Sequence, residues 1–438
     1  MGPTCFGRYI LLERIASGGM GEVFIAVPRT LWGFEKFFAV KKILPTLSQE
    51  PEFLSRFRDE ARLVIPMNHP NVVQVYEVGR VDESYFIAME LVEGCNVGQL
   101  LSRCWQYRQR QALPVAAALL IIRELLAGLE YCHRRTDGHG SNLGLVHRDV
   151  SPSNVLVSYD GAVKLADFGL ALSSMKVVHT QPNRVLGHLG YIAPEGLDGR
   201  RLDARADIFS SGVLLFELLT CQRFAPGSDP VAVRQQLVTR GRVRPSELRP
   251  DVPAEVDEVV ARAVAVNPQD RYPTAQAFHD EVQRALVRLD AVYGARQLSH
   301  NVMHTLFDPQ HKRQQLVALA RGLDLEELEA RQPAGRTVCL GEAIPLGSPP
   351  DPLAAAEAEP RRTFGTGKAV LTLIDDMFEG DTEPVRLSGA HEVELPEVRS
   401  SSSVRRSRRR EWRTPAPART GTSEPKRRPR FLKARTNQ

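Results

Sequence analysis

From Tyr9 to about Val92, apolar residues come in short runs with partial alternation: "YILLERIA", "GEVFIAV", "FFAVKKIL", "VVQVYEVG" and "SYFIAMELV". Runs of this length and make-up predict β-strands. One stretch breaks the pattern, because "PEFLSRFRDEARLVIPM" (51–67) is charged and amphipathic and predicts a single helix among the strands. From about Gly98 to Leu289 the period changes. "PVAAALLIIRELLAGLEYCH" (114–133), "ADIFSSGVLLFELLT" (206–220), "AEVDEVVARAVA" (254–265) and "AQAFHDEVQRALVRL" (275–289) place apolar residues three and four apart, as helices with a buried face require. The switch predicts an α+β domain over 9–289 in two lobes, a small β-rich lobe with one helix (9–92) and a larger helical lobe (93–289).

A helical pattern continues over 290–330, through "LSHNVMHTLFD" and "HKRQQLVALARGLDLEELEA". After Arg331, Pro, Ala, Glu, Arg and Ser dominate and large apolar residues thin out. Such a chain buries too little surface to offset its conformational entropy, so 331–438 is expected to be mostly disordered, with "KAVLTLIDDMF" (368–378) as one apolar island.

Composition adds a tail to this picture. The chain has 438 residues, 42% of them hydrophobic, enough for a sizeable core in one large domain or two. Its net charge of +5 is unevenly spread: residues 396–438 hold 14 Lys and Arg against 3 Glu, a local +11, which leaves −6 for residues 1–395. That basic tail is expected to make weak, salt-sensitive contacts with polyanions through counterion release. With only Trp412 and Phe431 as aromatics, it offers little base stacking.

The six cysteines form no C-x-x-C pair and no cluster with His at ligand spacing, so reduced thiols and a cytoplasmic setting are expected. The first ten residues lack a basic and apolar leader pattern, and Phe6 breaks the myristoylation pattern. Apolar runs such as "LPVAAALLII" are cut by Arg123 and Glu217 short of the roughly 20 residues that span a bilayer.

The candidate chemistry is phosphate handling. "IASGGMGEVF" (15–24) is a glycine-rich turn between two predicted strands, where backbone N–H groups can close over phosphates. Alone it reads better as a glycine-rich hairpin. Lys41 in "FAVKK" falls on the next strand, and Glu60, nineteen residues on, is placed on the amphipathic helix to hold that lysine by an ion pair. "HRDVSPSN" (147–154) sets Asp149 and Asn154 in a loop with Asp149 as acceptor of a hydroxyl proton. "DFG" (167–169) follows, and Asp167 with Asn154 supplies the oxygen ligands that a phosphate-bound Mg²⁺ needs. "APE" (193–195) and "NPQDRYPT" (267–274) offer Glu195 and Arg271 as an ion pair.

These landmarks resemble the protein kinase superfamily, and most closely the bacterial eukaryotic-like Ser/Thr protein kinases of the myxobacterial branch. "SGGMGEVF", "HPNVVQVYEVG", "MELVEG" and "HRDVSPSNVLV" carry the likeness, which covers about 9–289. The resemblance implies an ATP- and Mg²⁺-dependent enzyme acting on protein substrates, with catalytic roles for Lys41, Glu60, Asp149, Asn154 and Asp167. It implies a nucleotide site formed by Ile15, Ala16, Ser17, Gly18, Gly19, Met20, Gly21, Val23, Ala39 and Lys41, with Met89 as gatekeeper and Glu90, Leu91 and Val92 as the hinge. It further implies an internal spine of Val64, Val75, His147 and Phe168 anchored by Asp207, and an Arg148 that meets a phosphate on Ser173, Ser174 or Thr180.

Three positions depart from the family pattern. Ala16 replaces the first glycine of the loop, Ser151 the usual catalytic-loop lysine, and His188 the usual threonine before APE. Because those last two residues normally meet at the catalytic Asp, their joint replacement reads as co-adaptation. Two functions fit: a working kinase for Ser or Thr hydroxyls that also phosphorylates itself, and a silent nucleotide-binding scaffold recruiting partners through its tail. The intact Lys, base and metal ligands favour the first.

Overall fold

The structure, a computed structural model, describes residues 2–18, 21–29, 36–49, 61–107, 112–137, 139–167, 189–323 and 337–342, and singly 53, 57, 327, 328, 330 and 335. Its strands are β1 (Thr4–Phe6), β2 (Tyr9–Gly18), β3 (Gly21–Pro28), β4 (Phe38–Ile43), β5 (Val75–Val81), β6 (Ser84–Glu90), β7 (Gly94–Asn96), β8 (Val155–Ser158), β9 (Val163–Leu165) and β10 (Thr337–Glu342). Seven pair antiparallel in one sheet, in the order β1-β2-β3-β4-β6-β5-β10, and β7-β8-β9 form a second small antiparallel sheet.

The apolar alternation in β2 explains how the small lobe is built. Tyr9 and Leu11 point to one face, where they join Phe6, Phe24, Phe38, Val40 and Phe86. Rings there meet edge to face, with Tyr9 5.8 Å from Phe86 and Phe6 5.6 Å from it. Ile10 and Leu12 point to the opposite face and pack with Ile25, Phe37 and Leu316. A strand apolar on both sides needs cover on both sides, and the second cover comes from far along the chain.

Phe53, Phe57, Ala61 and Val64, spaced four, four and three apart, are buried, and 61–64 are helical, as the amphipathic stretch predicts. The ring of Phe57 lies 5.5 Å from that of Tyr85 in β6, so this segment packs on the sheet.

The large lobe holds α1 (Val97–Tyr107), α2 (Val115–His133), α3 (Arg205–Thr220), α4 (Ala254–Ala263) and α5 (Ala275–Leu289). α2 and α3 are buried along most of their length and form its centre, while α5, amphipathic, lies against α2. Thr274 caps α5 by accepting from the backbone N–H of Ala277 at 3.1 Å.

The extension predicted helical over 290–330 contains α6 (Pro309–Arg321), started by Pro309 and capped by Asp308, which accepts from the N–H of His311 at 3.1 Å. Two expected boundaries shift. β1 extends the sheet before Tyr9, pairing Phe6 with Tyr9. Within 331–438, expected to be mostly disordered, Thr337–Glu342 adds β10 to β5. An open strand edge offers a row of backbone donors and acceptors, and six residues, "TVCLGE", suffice to pair with it, too few to stand out in a polar segment. The apolar island at 368–378 and the basic tail lie outside the described residues.

Candidate active site

The floor of the site hangs from one buried carboxylate. Asp207, near the start of α3, accepts from the backbone N–H groups of His147 and Arg148, each at 2.8 Å, and lies 2.7 Å from His133 Nε2. Burial pushes its pKa up, but the hydrogen bond and charge of His133 prevail and hold it below the ordinary carboxylate value. Asp207 therefore stays ionised and fixes the loop in place. His133 in this contact was not anticipated; a histidine at the end of a helix carries no motif.

His147 orders the loop further. Its Nε2 donates to the carbonyl of Ala166 at 3.1 Å while its Nδ1 accepts from the N–H of Asp149 at 3.3 Å, a pattern that only the neutral ring satisfies. Complete burial lowers its pKa from 6.5, outweighing the charges of Asp207 and Asp149. The neighbouring backbone is strained: Arg148 has φ +68° and Asp167 φ +58°, left-handed values that cost a non-glycine residue roughly 1–3 kcal/mol.

Four of the expected residues converge here. Asn154 Nδ2 donates to both the carbonyl and Oδ2 of Asp149, each at 2.8 Å, which fixes the rotation of that carboxylate. Asp149 is half-buried. Lys41 on β4 is fully buried and its Nζ lies 3.2 Å from Asp167 Oδ2.

Asn154 Oδ1, by contrast, is buried and has no hydrogen-bond partner. A buried amide oxygen left over beside an aspartate suits a hard cation, so Asn154 and Asp167 fit Mg²⁺. Among the described residues no three His, Cys, Asp or Glu gather at metal-binding distance. Asn154 and Asp167 would hold such a cation, with phosphate and water left to supply its other ligands.

Above the floor is a cleft of about 1480 Å³ between the lobes. Ile15, Ala16, Val23 and Ala39 roof it, Met89, Glu90, Leu91 and Val92 form its back, and Ala166 and Asp167 close its inner end. The hinge is braced by Glu90, whose Oε2 pairs with Lys164 at 2.9 Å. Ser17, Gly18 and Gly21 form the β2–β3 hairpin end; a Cβ on Gly21 would lie 2.0 Å from the carbonyl of Lys42, so only glycine lets β3 approach β4 there. Unanticipated in the lining are Phe307, Lys312, Arg313 and Leu316 of the extension.

Ser151 is completely buried and its Oγ faces that of Ser153 at 3.3 Å. Val64, Val75 and His147 are buried as a spine requires. Arg271 grips Glu195 through two hydrogen bonds of 2.7 Å, and donates further to the carbonyls of Ala265, Arg205 and Val266. The guanidinium is thereby saturated within the large lobe. Gly19, Met20, Glu60, Phe168, Ser173, Ser174, Thr180 and His188 lie outside the described residues, and so does the Lys41–Glu60 pair.

Lys41 of the small lobe thus pairs with Asp167, and Ala166 beside it donates to the backbone of Asn154, the partner of Asp149. Residues 9–282 match the family model for the protein kinase domain, and the chain belongs to that family, whose members use ATP with Mg²⁺. It is 40% identical over 281 residues to the tyrosine-protein kinase MasK of Myxococcus xanthus, covering 64% of this chain and 43% of that one. It is 36% identical over 291 residues to the serine/threonine-protein kinase PksC of Streptomyces coelicolor, covering 65% and 50%. The crystal structure of the Mycobacterium tuberculosis PknI kinase domain aligns at TM-score 0.48 and 28% identity, over 65% of this chain and 99% of that one. The chain thus spans about half the length of the curated relatives it matches. Among the described residues no helix is long and apolar enough to cross a membrane.

Proposed function

We propose that this chain is an ATP-dependent protein kinase that transfers the γ-phosphoryl group to Ser and Thr hydroxyls of proteins, its own among them. The observation that carries the proposal is the Asp149–Asn154–Asp167 arrangement, in which Asn154 spends its amide N–H groups on Asp149 and keeps its oxygen unpaired. Asp149 orients the acceptor hydroxyl and takes its proton as the phosphoryl group arrives. Lys41 presents a buried cation to the phosphates from the roof. Asn154 and Asp167 hold the Mg²⁺, which neutralises phosphate charge when bound. None of these groups is missing, which counts against a silent scaffold.

Preference for Ser and Thr is supported by the names of relatives such as PksC and the PknL of Mycobacterium tuberculosis, both called serine/threonine-protein kinases. A tyrosine acceptor is the second reading, and two observations favour it: Ser151 puts no cation beside Asp149, and MasK is named a tyrosine kinase. Mapping the phosphorylated residues by mass spectrometry after incubation with ATP and Mg²⁺ separates these readings. The proposal expects phosphoserine and phosphothreonine; phosphotyrosine alone would replace it by the second reading, and no phosphate on any protein would return the scaffold. The basic tail, by this account, adds salt-sensitive contacts with polyanions and leaves the chemistry to the folded lobes.

A further inference from the structure

We infer that the segment from Ser299 to Leu316 is an intramolecular strap that sets the height of the cleft, and that Leu316, Lys312 and Arg313 are positioning residues for ATP binding. The inference rests on the reading of this cleft as an ATP site.

The strap is tied at both lobes. At the large lobe, Gly161 with φ +84° lies so close to the chain leading into the strap that a Cβ would stand 2.0 Å from the carbonyl of Ala295. Ser299 Oγ then donates to the carbonyl of Tyr159 at 2.7 Å, and Phe307 packs 6.1 Å from the Tyr159 ring with the guanidinium of Arg103 5.4 Å from its centre.

At the hinge, Arg313 pairs with Glu93, which follows the residues at the back of the cleft. At the roof, Lys312 Nζ donates to both carboxylate oxygens of Glu13 in β2, at 2.7 and 2.8 Å. One helical turn beyond Lys312, Leu316 is 4% exposed and packs on Ile10, Leu12 and Ile25; Ile25 lies on the same face of β3 as Val23 in the roof.

These contacts fall on three parts of the cleft: the β8–β9 turn of the large lobe, the hinge and the roof. A roof strand held only by its sheet neighbours could tilt against the hinge; one tied through α6 to the hinge and the large lobe keeps a fixed distance from the floor. Phe307, Lys312, Arg313 and Leu316 also line the cleft. Geometry of binding is therefore set by the strap, while the proton and phosphoryl chemistry stays with Asp149, Asn154 and Asp167. A loss in the strap should weaken ATP binding and leave the chemical step nearly alone.

The test measures ATP affinity by titration with Mg²⁺ present, together with kcat and KM for ATP, in the full chain and three variants: Leu316→Asp, Leu316→Met, and Lys312→Ala with Arg313→Ala. Leu316→Asp should weaken ATP binding and raise KM about tenfold with kcat within about twofold, and Leu316→Met should restore affinity. The double alanine variant truncates the half-buried Lys312 and the exposed Arg313 and leaves the apolar core whole, so it folds whether or not Leu316→Asp does, and should weaken binding about two- to threefold. Unchanged affinity in the double alanine variant and in any folded Leu316→Asp protein would overturn the strap alone. Equal losses in kcat and affinity would also overturn it, by making the segment a general stability element. Failure of the unsubstituted chain to bind ATP at all would overturn the strap and the kinase reading together.

Discussion

The floor and the roof of the cleft are held by opposite means. On the floor, ionised Asp207, neutral His147 and the Asn154 amide fix a short loop through hydrogen bonds that leave two of its neighbours in strained backbone. In the roof, β2 alternates apolar residues onto two faces, and its position depends on how Tyr9 and Leu11 pack on one side and Ile10 and Leu12 on the other. A buried polar group tolerates few substitutes, because an unpaired donor or acceptor costs about 1–3 kcal/mol. An apolar contact accepts many residues of similar volume. The comparison therefore predicts large, specific losses for changes on the floor and graded ones for changes in the roof.

The largest effect should come from Asp167→Ala, which removes the partner of Lys41 and, on the proposed function, a Mg²⁺ ligand. Turnover should fall by more than the ~10³-fold typical of a single positioned group, with cooperative melting kept; near-normal turnover would break the floor assignment. Next comes Glu195→Ala, which leaves the fully buried Arg271 without its carboxylate. A loss of about 3–5 kcal/mol is expected in chemical denaturation, as for breaking a buried pair. Recovery of much of that loss in Glu195→Ala with Arg271→Leu would show that the cost lies in the uncompensated charge.

A smaller effect concerns pH. Because burial lowers the pKa of His147 below 6.5, the folded state keeps the ring neutral while the unfolded chain takes up a proton as pH falls. Stability is thus complete above about 6.5 and declines below it, and the depressed pKa of Asp207 acts in the same direction at more acid pH. Melting temperatures measured from about pH 7.5 down to 5 should fall, and the fall should be shallower in His147→Gln. The smallest effect should be that of Ser151→Ala. Its hydroxyl faces Ser153 rather than the acceptor site, so turnover should change less than about threefold and stability by ~1 kcal/mol; a large rate loss would give Ser151 a direct part in the chemistry.

The same contrast explains what the sequence made legible. Lys41, Asp149, Asn154 and Asp167 stand at motif spacing, and the fold hydrogen-bonds them in two pairs, Lys41 with Asp167 and Asn154 with Asp149. Glu195 and Arg271, seventy-six residues apart, were pairable because each sits in a short recognisable stretch. The strap had no such mark. "PQHKRQQLVALAR" reads as a helix, but periodicity says nothing of where a helix docks, and Leu316 is one leucine among several. The hint lay elsewhere, in "YILL", whose four consecutive buried residues demand cover on both faces of one strand. β10 escaped notice for a similar reason: its partner is an open edge of β5, a property of the folded sheet.

The division of labour between floor and roof is tested most directly by measuring kcat and KM for ATP side by side in Asp149→Asn and Leu316→Asp. The account predicts that Asp149→Asn lowers kcat by about 10²–10⁴-fold with KM almost unchanged, and that Leu316→Asp raises KM with kcat almost unchanged. Two variants that each lower kcat and raise KM in the same proportion would contradict it.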